Sequence, residues 1–303
     1  MRIRKGITLL SALCMACCLH AANITFADSN VKALCVQNWD SNNDGELSTD
    51  EAAAVTSLGT VFRENKNITT FEELRYFTGL TSIGEYAFYK SSIQKVAFPA
   101  SVTEIGEYAF SQSDISGELR IPGTVKAIRN YAFESCKGVT SVILEEGVER
   151  FGFQSFTGPI STLSLPSTLT FISSMAINPY ENAYPGSGVF VPEGDLYVYV
   201  HSMTPPAINT YAFYYVFGGG HLIVPFGTKE AYKAAGAWSQ FGEYLEYGDV
   251  NMDGVVNNRD VISTRAYVLG NNPSPFNPMI ADVNGDNFIN NRDVILLRNC
   301  VMR

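Results

Sequence analysis

The sequence predicts an α+β fold, a solenoid of stacked repeats with one parallel sheet, flanked by a helical N-terminal segment and an all-α C-terminal module. Two observations predict it. A six-residue box returns about every 23 residues through the middle of the chain, and loops rich in Asp and Asn stand on either side of these repeats. A unit of this length cannot bury its own apolar face, so successive units have to stack.

Composition and charge limit the functions that need to be considered. The 303-residue chain is 46% hydrophobic and 17% charged, which is enough apolar material for an extended core. Its 21 Lys and Arg face 30 Asp and Glu, a formal net charge of −9. We therefore expect no nucleic-acid partner, because binding to phosphates needs a basic surface.

Residues 1–22 have the layout of a signal peptide. A basic head precedes an apolar run from Ile7 to Leu19 and the small residues Ala21 and Ala22. We expect bacterial export, and hence a secreted or cell-surface protein. A lipid anchor on one of the three Cys of this segment is the alternative. The other three Cys lie far apart in the sequence and form no disulfide framework.

Residues 23–79 are expected to form a helical cap that contains one calcium loop. The twelve residues 40–51 match the EF-hand loop, with oxygen donors at positions 1, 3, 5 and 9, Gly45 at position 6 and a glutamate at position 12. Ca²⁺ takes roughly six to eight oxygen ligands, and this spacing wraps them around one ion. The predicted ligands are Asp40, Asn42, Asp44, Glu46, Ser48 and Glu51.

Repeats are expected over residues 80–217. The box I-G-E-Y-A-F occurs at 83–88 and 105–110 and becomes I-R-N-Y-A-F at 128–133, with weaker copies farther on. Short alternating strands separate the boxes, and three of them end at a proline. Residues 180–195 look like an insertion between coils. Residues 218–243, with a strand and a short helix, are expected to cap the array.

The repeated box resembles the BspA-type leucine-rich repeats of bacterial surface proteins. The stretch P-x-x-V-x-x-I precedes the box at 99–105 and 122–128, and the resemblance covers about residues 80–241. This resemblance implies a non-catalytic adhesion or binding protein. The ligand of the solenoid would be an unknown protein or glycan.

Two surfaces of the predicted solenoid allow more than one interpretation. The outward residues of the sheet strands are a mixture of small, apolar and oppositely charged side chains, so the face they form is either a protein-binding surface or simply solvated. These residues are Lys95, Ala97, Glu118, Arg120, Ser141, Ile143, Thr162 and Ser164. The tyrosines of the box at positions 86, 108, 131 and 211 either stack on carbohydrate or serve packing.

Residues 244–303 contain two further loops, 249–260 and 282–293, which begin 33 residues apart. Both carry Asp, Asn, Asp, Asn and Asp at positions 1, 3, 5, 9 and 12, and the main-chain carbonyl of position 7 completes each set. The predicted ligands are Asp249, Asn251, Asp253, Val255, Asn257 and Asp260 in the first loop, and Asp282, Asn284, Asp286, Phe288, Asn290 and Asp293 in the second. The whole chain is thus expected to bind three Ca²⁺ ions.

The duplicated loops resemble a type I dockerin module over residues 244–303. The resemblance implies a cohesin-like protein partner, which loop positions 10 and 11 contact in that family. These positions are Asn258 and Arg259 in the first loop and Asn291 and Arg292 in the second. The hexapeptide N-N-R-D-V-I occurs at 257–262 and 290–295, which would offer a partner two equivalent orientations. An intramolecular calcium staple without a partner is the alternative.

The sequence holds no recognisable catalytic motif. It has three histidines, one of them in the signal segment, and lacks a nucleophile elbow, a zinc-protease motif and a phosphate loop. We therefore predict no enzyme and no small-molecule substrate. The leading hypothesis is a secreted or surface binding protein that docks through its C-terminal module. An accessory component of a polysaccharide-degrading, cellulosome-like complex is the alternative, and an enzyme of unrecognised type is a third possibility.

Overall fold

The computed structural model describes residues 21–178, 196–213, 219–286 and 288–302. Residues 1–20 of the predicted signal peptide and the predicted insertion at 180–195 lie outside this part. Among the residues described, no helix combines the length and the apolar character needed to cross a membrane.

Short strands dominate, with helices near the two ends of the chain. The helices are α1 (Ser29–Trp39), α2 (Thr49–Ala54), α3 (Lys229–Lys233), α4 (Asn258–Val268), α5 (Pro278–Ala281) and α6 (Asn291–Val301), with 3-10 turns at Glu72–Tyr76 and Gly236–Gln240. The strands are β1 (Thr70–Phe71), β2 (Ser82–Ile83), β3 (Lys95–Val96), β4 (Glu104–Ile105), β5 (Ser116–Ile121), β6 (Ala127–Ile128), β7 (Gly138–Leu144), β8 (Arg150–Phe151), β9 (Phe156–Thr157), β10 (Thr162–Leu165), β11 (Phe171–Ile172), β12 (Ile177–Asn178), β13 (Tyr197–Val200), β14 (His221–Val224) and β15 (Glu243–Glu246).

Strands from successive coils pair in parallel. The largest sheet has six strands in the order β5-β7-β10-β13-β14-β15, and a second sheet has five in the order β2-β4-β6-β8-β11. Strands β1 and β3, and β9 and β12, form two smaller parallel pairs. The structure confirms the predicted α+β class and the parallel solenoid, but the strands divide among several parallel sheets where the sequence predicts one.

A column of phenylalanine rings runs through the core, one from each of five successive coils. Phe88, Phe110, Phe133 and Phe156 stack with centroids 4.9, 5.1 and 5.3 Å apart and ring planes within 5° of parallel. Phe62 extends the column by one ring at 5.2 Å. All of these side chains are buried. A stacked pair contributes about 0.5–1.5 kcal/mol beyond its burial, so the column links each coil to the next.

The tyrosine of the box turns the chain just before each buried phenylalanine. Tyr86, Tyr108 and Tyr131 have φ angles of 56°, 55° and 58°, a left-handed conformation that costs a non-glycine residue about 1–2 kcal/mol. Main-chain hydrogen bonds between coils offset this cost, such as the 2.7 Å bond that Phe88 N donates to the carbonyl of Ala109.

The rings of the box tyrosines Tyr86, Tyr108 and Tyr131 stack face to face. Tyr86 stacks on Tyr108 at 5.0 Å and Tyr108 on Tyr131 at 4.7 Å, both within 4° of parallel. A sugar ring needs an open aromatic face, and the faces between these three rings are taken. The arrangement therefore supports the packing interpretation for Tyr86, Tyr108 and Tyr131, whereas Tyr211 is 53% exposed.

Separate structures close the two ends of the array. At the N-terminal end, the Trp39 ring lies 5.5 Å from Phe77, and Asp28 accepts hydrogen bonds from the amide and hydroxyl of Thr69 at 2.7 and 3.0 Å. Near the C-terminal end, Tyr232 and Trp238 are fully buried. Strand β15 is the last of the six strands of the largest sheet. The boundary predicted after residue 243 therefore falls inside a strand of the solenoid.

The C-terminal module packs on the outer face of the six-stranded sheet. Ile280 of α5 is buried against one residue from each of the last three strands and against the residue that follows β15. These contacts are Tyr199 of β13, Ile223 of β14, Leu245 of β15 and Tyr247, and we call the five residues, Ile280 included, the junction cluster. Asn277 Nδ2 also donates to the Tyr199 hydroxyl at 3.4 Å. The chain passes from β15 directly into the first C-terminal loop without a linker.

Shortening one ring of the phenylalanine column should destabilise the array. We expect Phe110→Ala to lower the free energy of unfolding by about 3–5 kcal/mol, because it leaves a cavity between two stacked rings. Phe171→Ala is the matched control: this ring is 44% exposed and lies over Arg150, so its loss should cost less than about 1 kcal/mol. Urea denaturation measures both values, and equal costs would contradict the role of the column.

Candidate calcium loops and docking surface

The three acidic loops share one local geometry at their exit. In each loop, the residue at position 9 is the N-cap of the outgoing helix and the carboxylate at position 12 is its third residue, and the two form a reciprocal capping box. The three pairs are Ser48 with Glu51, Asn257 with Asp260, and Asn290 with Asp293. The helix therefore fixes where the last ligand of each loop lies.

Main-chain amides wrap the N-terminal loop around its acidic side chains. Asp40 accepts from Gly45 N at 2.9 Å, Asn42 accepts from Asp44 N at 2.8 Å, and Asp44 accepts from Glu46 N at 2.9 Å. Gly45 has a φ of 83°, which favours glycine at this turn. Positions 1, 3 and 5 are thus held by amides two to five residues farther along the chain.

The two glutamates of the N-terminal loop have different tasks. The Glu46 carboxylate pairs with Lys32 at 2.7 Å, and an EF-hand loop uses only the main-chain carbonyl of position 7. Glu51 accepts from the amide and hydroxyl of Ser48, each at 2.9 Å. These bonds, together with others from Ser41, lower the pKa of Glu51 to about 2. Position 12 therefore stays charged at neutral pH.

A short extended segment steadies the N-terminal loop from outside. Ile24 N donates to the carbonyl of Leu47 at 2.8 Å, and Thr49 N donates to the carbonyl of Ala22 at 3.0 Å. This antiparallel contact ties the beginning of the described chain to the loop's second half.

The first C-terminal loop repeats the scheme. Asp249 accepts from Gly254 N at 2.9 Å, Asn251 accepts from Asp253 N at 2.9 Å, and Asp253 accepts from Val255 N at 3.1 Å. Asn257 Nδ2 donates to the Val255 carbonyl at 3.0 Å, which brings positions 7 and 9 together.

The second C-terminal loop matches the first over the residues described. Asn284 accepts from Asp286 N at 2.8 Å, Asp286 accepts from Phe288 N at 2.9 Å, and Asn290 Nδ2 donates to the Phe288 carbonyl at 3.1 Å. Asp282 accepts from Asp286 N at 3.2 Å. Position 6 of this loop, residue 287, lies outside the described part.

Burial makes the carboxylates of the C-terminal loops costly to keep charged. Asp249, Asp260 and Asp293 are buried. Burial raises the pKa of both Asp249 and Asp260. The nearby carboxylate of Asp260 raises the pKa of Asp249 further, and that of Asp253 raises the pKa of Asp260. A cation among these groups would compensate the cost.

The donor chemistry of the loops fits calcium better than a softer metal. Carboxylate, amide and main-chain oxygens are the ligands that Ca²⁺ prefers, and the predicted sets contain only oxygen donors. Within the described part of the chain, no three His, Cys, Asp or Glu side chains by themselves form a metal-binding group. An ion in these loops would therefore depend on Asn and main-chain oxygens as well.

The predicted partner-binding residues lie in two equivalent settings. Asn258 and Arg259 begin α4, Asn291 and Arg292 begin α6, and all four are exposed. Their N-caps, Asn257 and Asn290, have nearly the same backbone angles, with φ of −148° and −147° and ψ of −172° in both. The duplication of the sequence is thus also a duplication of local geometry.

Sequence reasoning missed the exposed apolar residues beside these pairs. Ile262 and Ile295, the last residues of the two copies of the hexapeptide, are 68% and 58% exposed. Val255 and Phe288 expose 59% and 71% of their surface while occupying ligand position 7. The signal was present in the repeated hexapeptide, whose final apolar residue lies two positions after a buried carboxylate and so points away from it.

The fold and the duplicated loops together define a modular, repeat-built protein. More specifically, residues 59–182 match the BspA type leucine rich repeat region in six copies, and residues 247–302 match the type I dockerin domain. No curated protein matches the chain. The chain therefore contains a BspA-type repeat region and a type I dockerin domain. Domains of these two kinds are non-catalytic, and type I dockerin domains typically bind calcium and cohesin modules.

The matched repeat region begins 21 residues before the predicted one. Residues 59–79 lack the I-G-x-Y-A-F box, yet Phe62 occupies a place in the phenylalanine column and β1 pairs with β3 of the next coil. The array thus starts inside the segment that the sequence assigns to the N-terminal cap.

Removing calcium should lower the melting temperature of the protein. A site filled at about 100 times its Kd contributes roughly 2.7 kcal/mol, and 1 kcal/mol shifts the Tm of a chain of 150–250 residues by about 2–4 °C. We expect EDTA to lower the Tm by at least 5 °C and excess CaCl₂ to restore it. Identical thermal scans with and without EDTA would contradict calcium binding by these loops.

Proposed function

We propose that this protein is a secreted or surface-exposed, non-catalytic binding protein. Its solenoid presents a surface to a macromolecular ligand, a protein or a glycan. Its C-terminal module docks, in a calcium-dependent manner, onto a cohesin-like module of another protein. The three acidic loops each hold one Ca²⁺ through the ligands predicted from the sequence.

The observation that carries the docking proposal is the pair of equivalent exposed surfaces on the module. Each surface combines an Asn and an Arg with an apolar residue at the start of a helix, namely Asn258, Arg259 and Ile262 on α4 and Asn291, Arg292 and Ile295 on α6. An arginine next to exposed apolar area is typical of a protein-binding surface. A cohesin-like partner could use either surface, since the local backbone is the same in both.

The calcium-staple alternative accounts for only part of this arrangement. Packing of the module on the junction cluster would stabilise the array whether or not a partner binds. A cap, however, gains nothing from exposing an isoleucine at the same place in both helices. Covering the sheet and docking a partner use different faces of the module and are compatible.

An N-terminal calcium site is part of the same proposal. The loop at 40–51 has the amide-to-carboxylate pattern of the two dockerin loops, with a glutamate in place of aspartate at position 12. Its charged Glu51 and its position next to α1 and α2 support a role in holding the N-terminal cap together.

A second candidate function is an accessory role in a polysaccharide-degrading, cellulosome-like complex. The dockerin domain favours it, because dockerin domains plug proteins into cohesin-bearing assemblies. The two functions differ in the identity of the cohesin: a cohesin on a scaffold that also binds glycoside hydrolases supports the second, and one on a surface-anchored protein supports the first.

Substitution of the docking pairs tests the proposal. Replacing Asn258 and Arg259 by alanine removes one orientation of two, so we expect the affinity for a cohesin to fall only about twofold; the same holds for Asn291 and Arg292. Replacing both pairs should weaken binding more than 100-fold, because exposed arginines at such surfaces are frequent hot spots. Isothermal titration calorimetry of the full chain in CaCl₂ measures the wild type and the three variants.

The two single-pair variants serve as each other's matched controls. None of the substitutions touches the N-caps Asn257 and Asn290, so calcium binding and the Tm should stay at wild-type values. Loss of binding on replacing one pair alone would contradict two equivalent surfaces. Wild-type protein that binds no type I cohesin would overturn the docking proposal and leave the staple.

A further inference from the structure

A cavity of about 900 Å³ lies between the solenoid and the second dockerin loop. It is bounded by the outer face of β7 and β10, by the turns that follow these strands, and by residues 282–285 of the module. Its size is within the range of about 300–1,000 Å³ that is typical of ligand pockets. We call it the junction pocket.

The charged side chains that line the solenoid side of the junction pocket are already paired with protein groups. Arg120 lies 3.0 Å from a Glu118 oxygen and 3.7 Å from a Glu145 oxygen. Glu146 accepts from the amide and the hydroxyl of Ser167 at 2.7 and 2.8 Å. A charged ligand would compete with these pairs. A neutral ligand can use the lone pairs that each carboxylate oxygen retains.

A buried histidine connects the sheet with the module at the pocket. Burial lowers the pKa of His201, although Glu146 and Asp282 act in the opposite direction. Its Nε2 lies 3.1 Å from the Ser164 hydroxyl and 3.3 Å from the Tyr247 hydroxyl. Its other face meets the loop at Gly285, where an added Cβ would lie 3.4 Å from Nδ1.

The polar groups of the pocket match a ligand that carries several hydroxyls. Among the lining residues, Ser164 and Ser167 offer hydroxyls, Glu145 and Glu146 offer acceptors, and Arg120 offers donors. Ile143 lies between them on β7, next to Ser164 on β10. Hydroxyls that both donate and accept, on a carbon frame with an apolar face, can satisfy this mixture without a net charge.

We propose that the junction pocket binds a neutral saccharide, held by Arg120, Glu146, Ser164 and Ser167. This inference deepens the proposed function, on which it rests for the role of the solenoid as a ligand-presenting surface. It gives that surface a ligand class and a location, next to the docking module. Cohesin docking uses the helix starts of α4 and α6, so the two binding events can be measured separately.

Calorimetric titration of the full chain in CaCl₂ tests the proposal. The neutral probes are cellohexaose, xylohexaose, mannohexaose and maltohexaose, and the charged probes are hexagalacturonic acid and hexalysine. We expect at least one neutral probe to bind with a Kd below 1 mM and more tightly than both charged probes.

Two substitutions locate the site. Ser167→Trp fills the pocket from an exposed turn and should weaken binding of the neutral probe at least tenfold, as should Glu146→Gln, which keeps the shape but removes the charge. Thr170→Trp is the matched control, since Thr170 is also exposed in the same region of the chain but lies outside the pocket. The affinity of this variant for the neutral probe should change less than twofold.

Each other outcome overturns the proposal in a recognisable way. Binding of no neutral probe, or unchanged binding by Ser167→Trp, excludes a saccharide in this pocket. Tighter binding of hexalysine than of every saccharide would show that the junction pocket is an acidic site that binds basic peptides. In either case cohesin binding by the same preparation shows that the module is folded, so the docking proposal stands or falls on its own measurement.

Discussion

The stacking of buried phenylalanines from five successive coils is the interaction on which the rest of the structure depends. A coil of about 23 residues has too few apolar side chains to fold alone, and the column from Phe62 to Phe156 gives each inner coil of these five a partner on both sides. The column also explains why the chain accepts left-handed tyrosines: they place the next ring in register, and inter-coil hydrogen bonds repay the strain. Sheets, tyrosine stack and sheet face all follow from this register.

A column of this kind has two open ends, and both ends of the chain carry acidic loops. In our proposal, calcium-binding segments hold these regions together. At the N-terminal end, the loop at 40–51 joins α1 and α2, which cover the first rings of the column. Near the C-terminal end, the dockerin domain covers the outer face of the last three strands through Ile280. The excess of acidic residues then lies largely near the two ends of the chain, and the weakly charged residues between them serve the packing of the repeats.

Much of this structure was predictable, and the exceptions have physical reasons. The repeated box predicts the stacked coils because a residue repeated in register has to pack on its own copies. The coil at 59–79 escaped prediction because Phe62 alone, without a box, carries no periodic signal. Packing of the module on the sheet was also missed, although Y-V-Y-V at 197–200 and H-L-I-V at 221–224 lack the polar alternation of strands with one solvated face. The loops can be proposed from the sequence because ligand spacing is a local property, whereas the junction pocket combines turns 20 to 140 residues apart in sequence.

The number of calcium ions bound by the full chain tests most directly whether calcium-binding segments stabilise both ends. Titration of metal-free protein with CaCl₂ in a calorimeter should give three ions per chain, and Asp44→Ala, which removes position 5 of the N-terminal loop, should reduce this to two. Two ions per chain in the wild type, with no change in the Asp44→Ala variant, would show that the N-terminal loop binds no calcium and would contradict the account of that end.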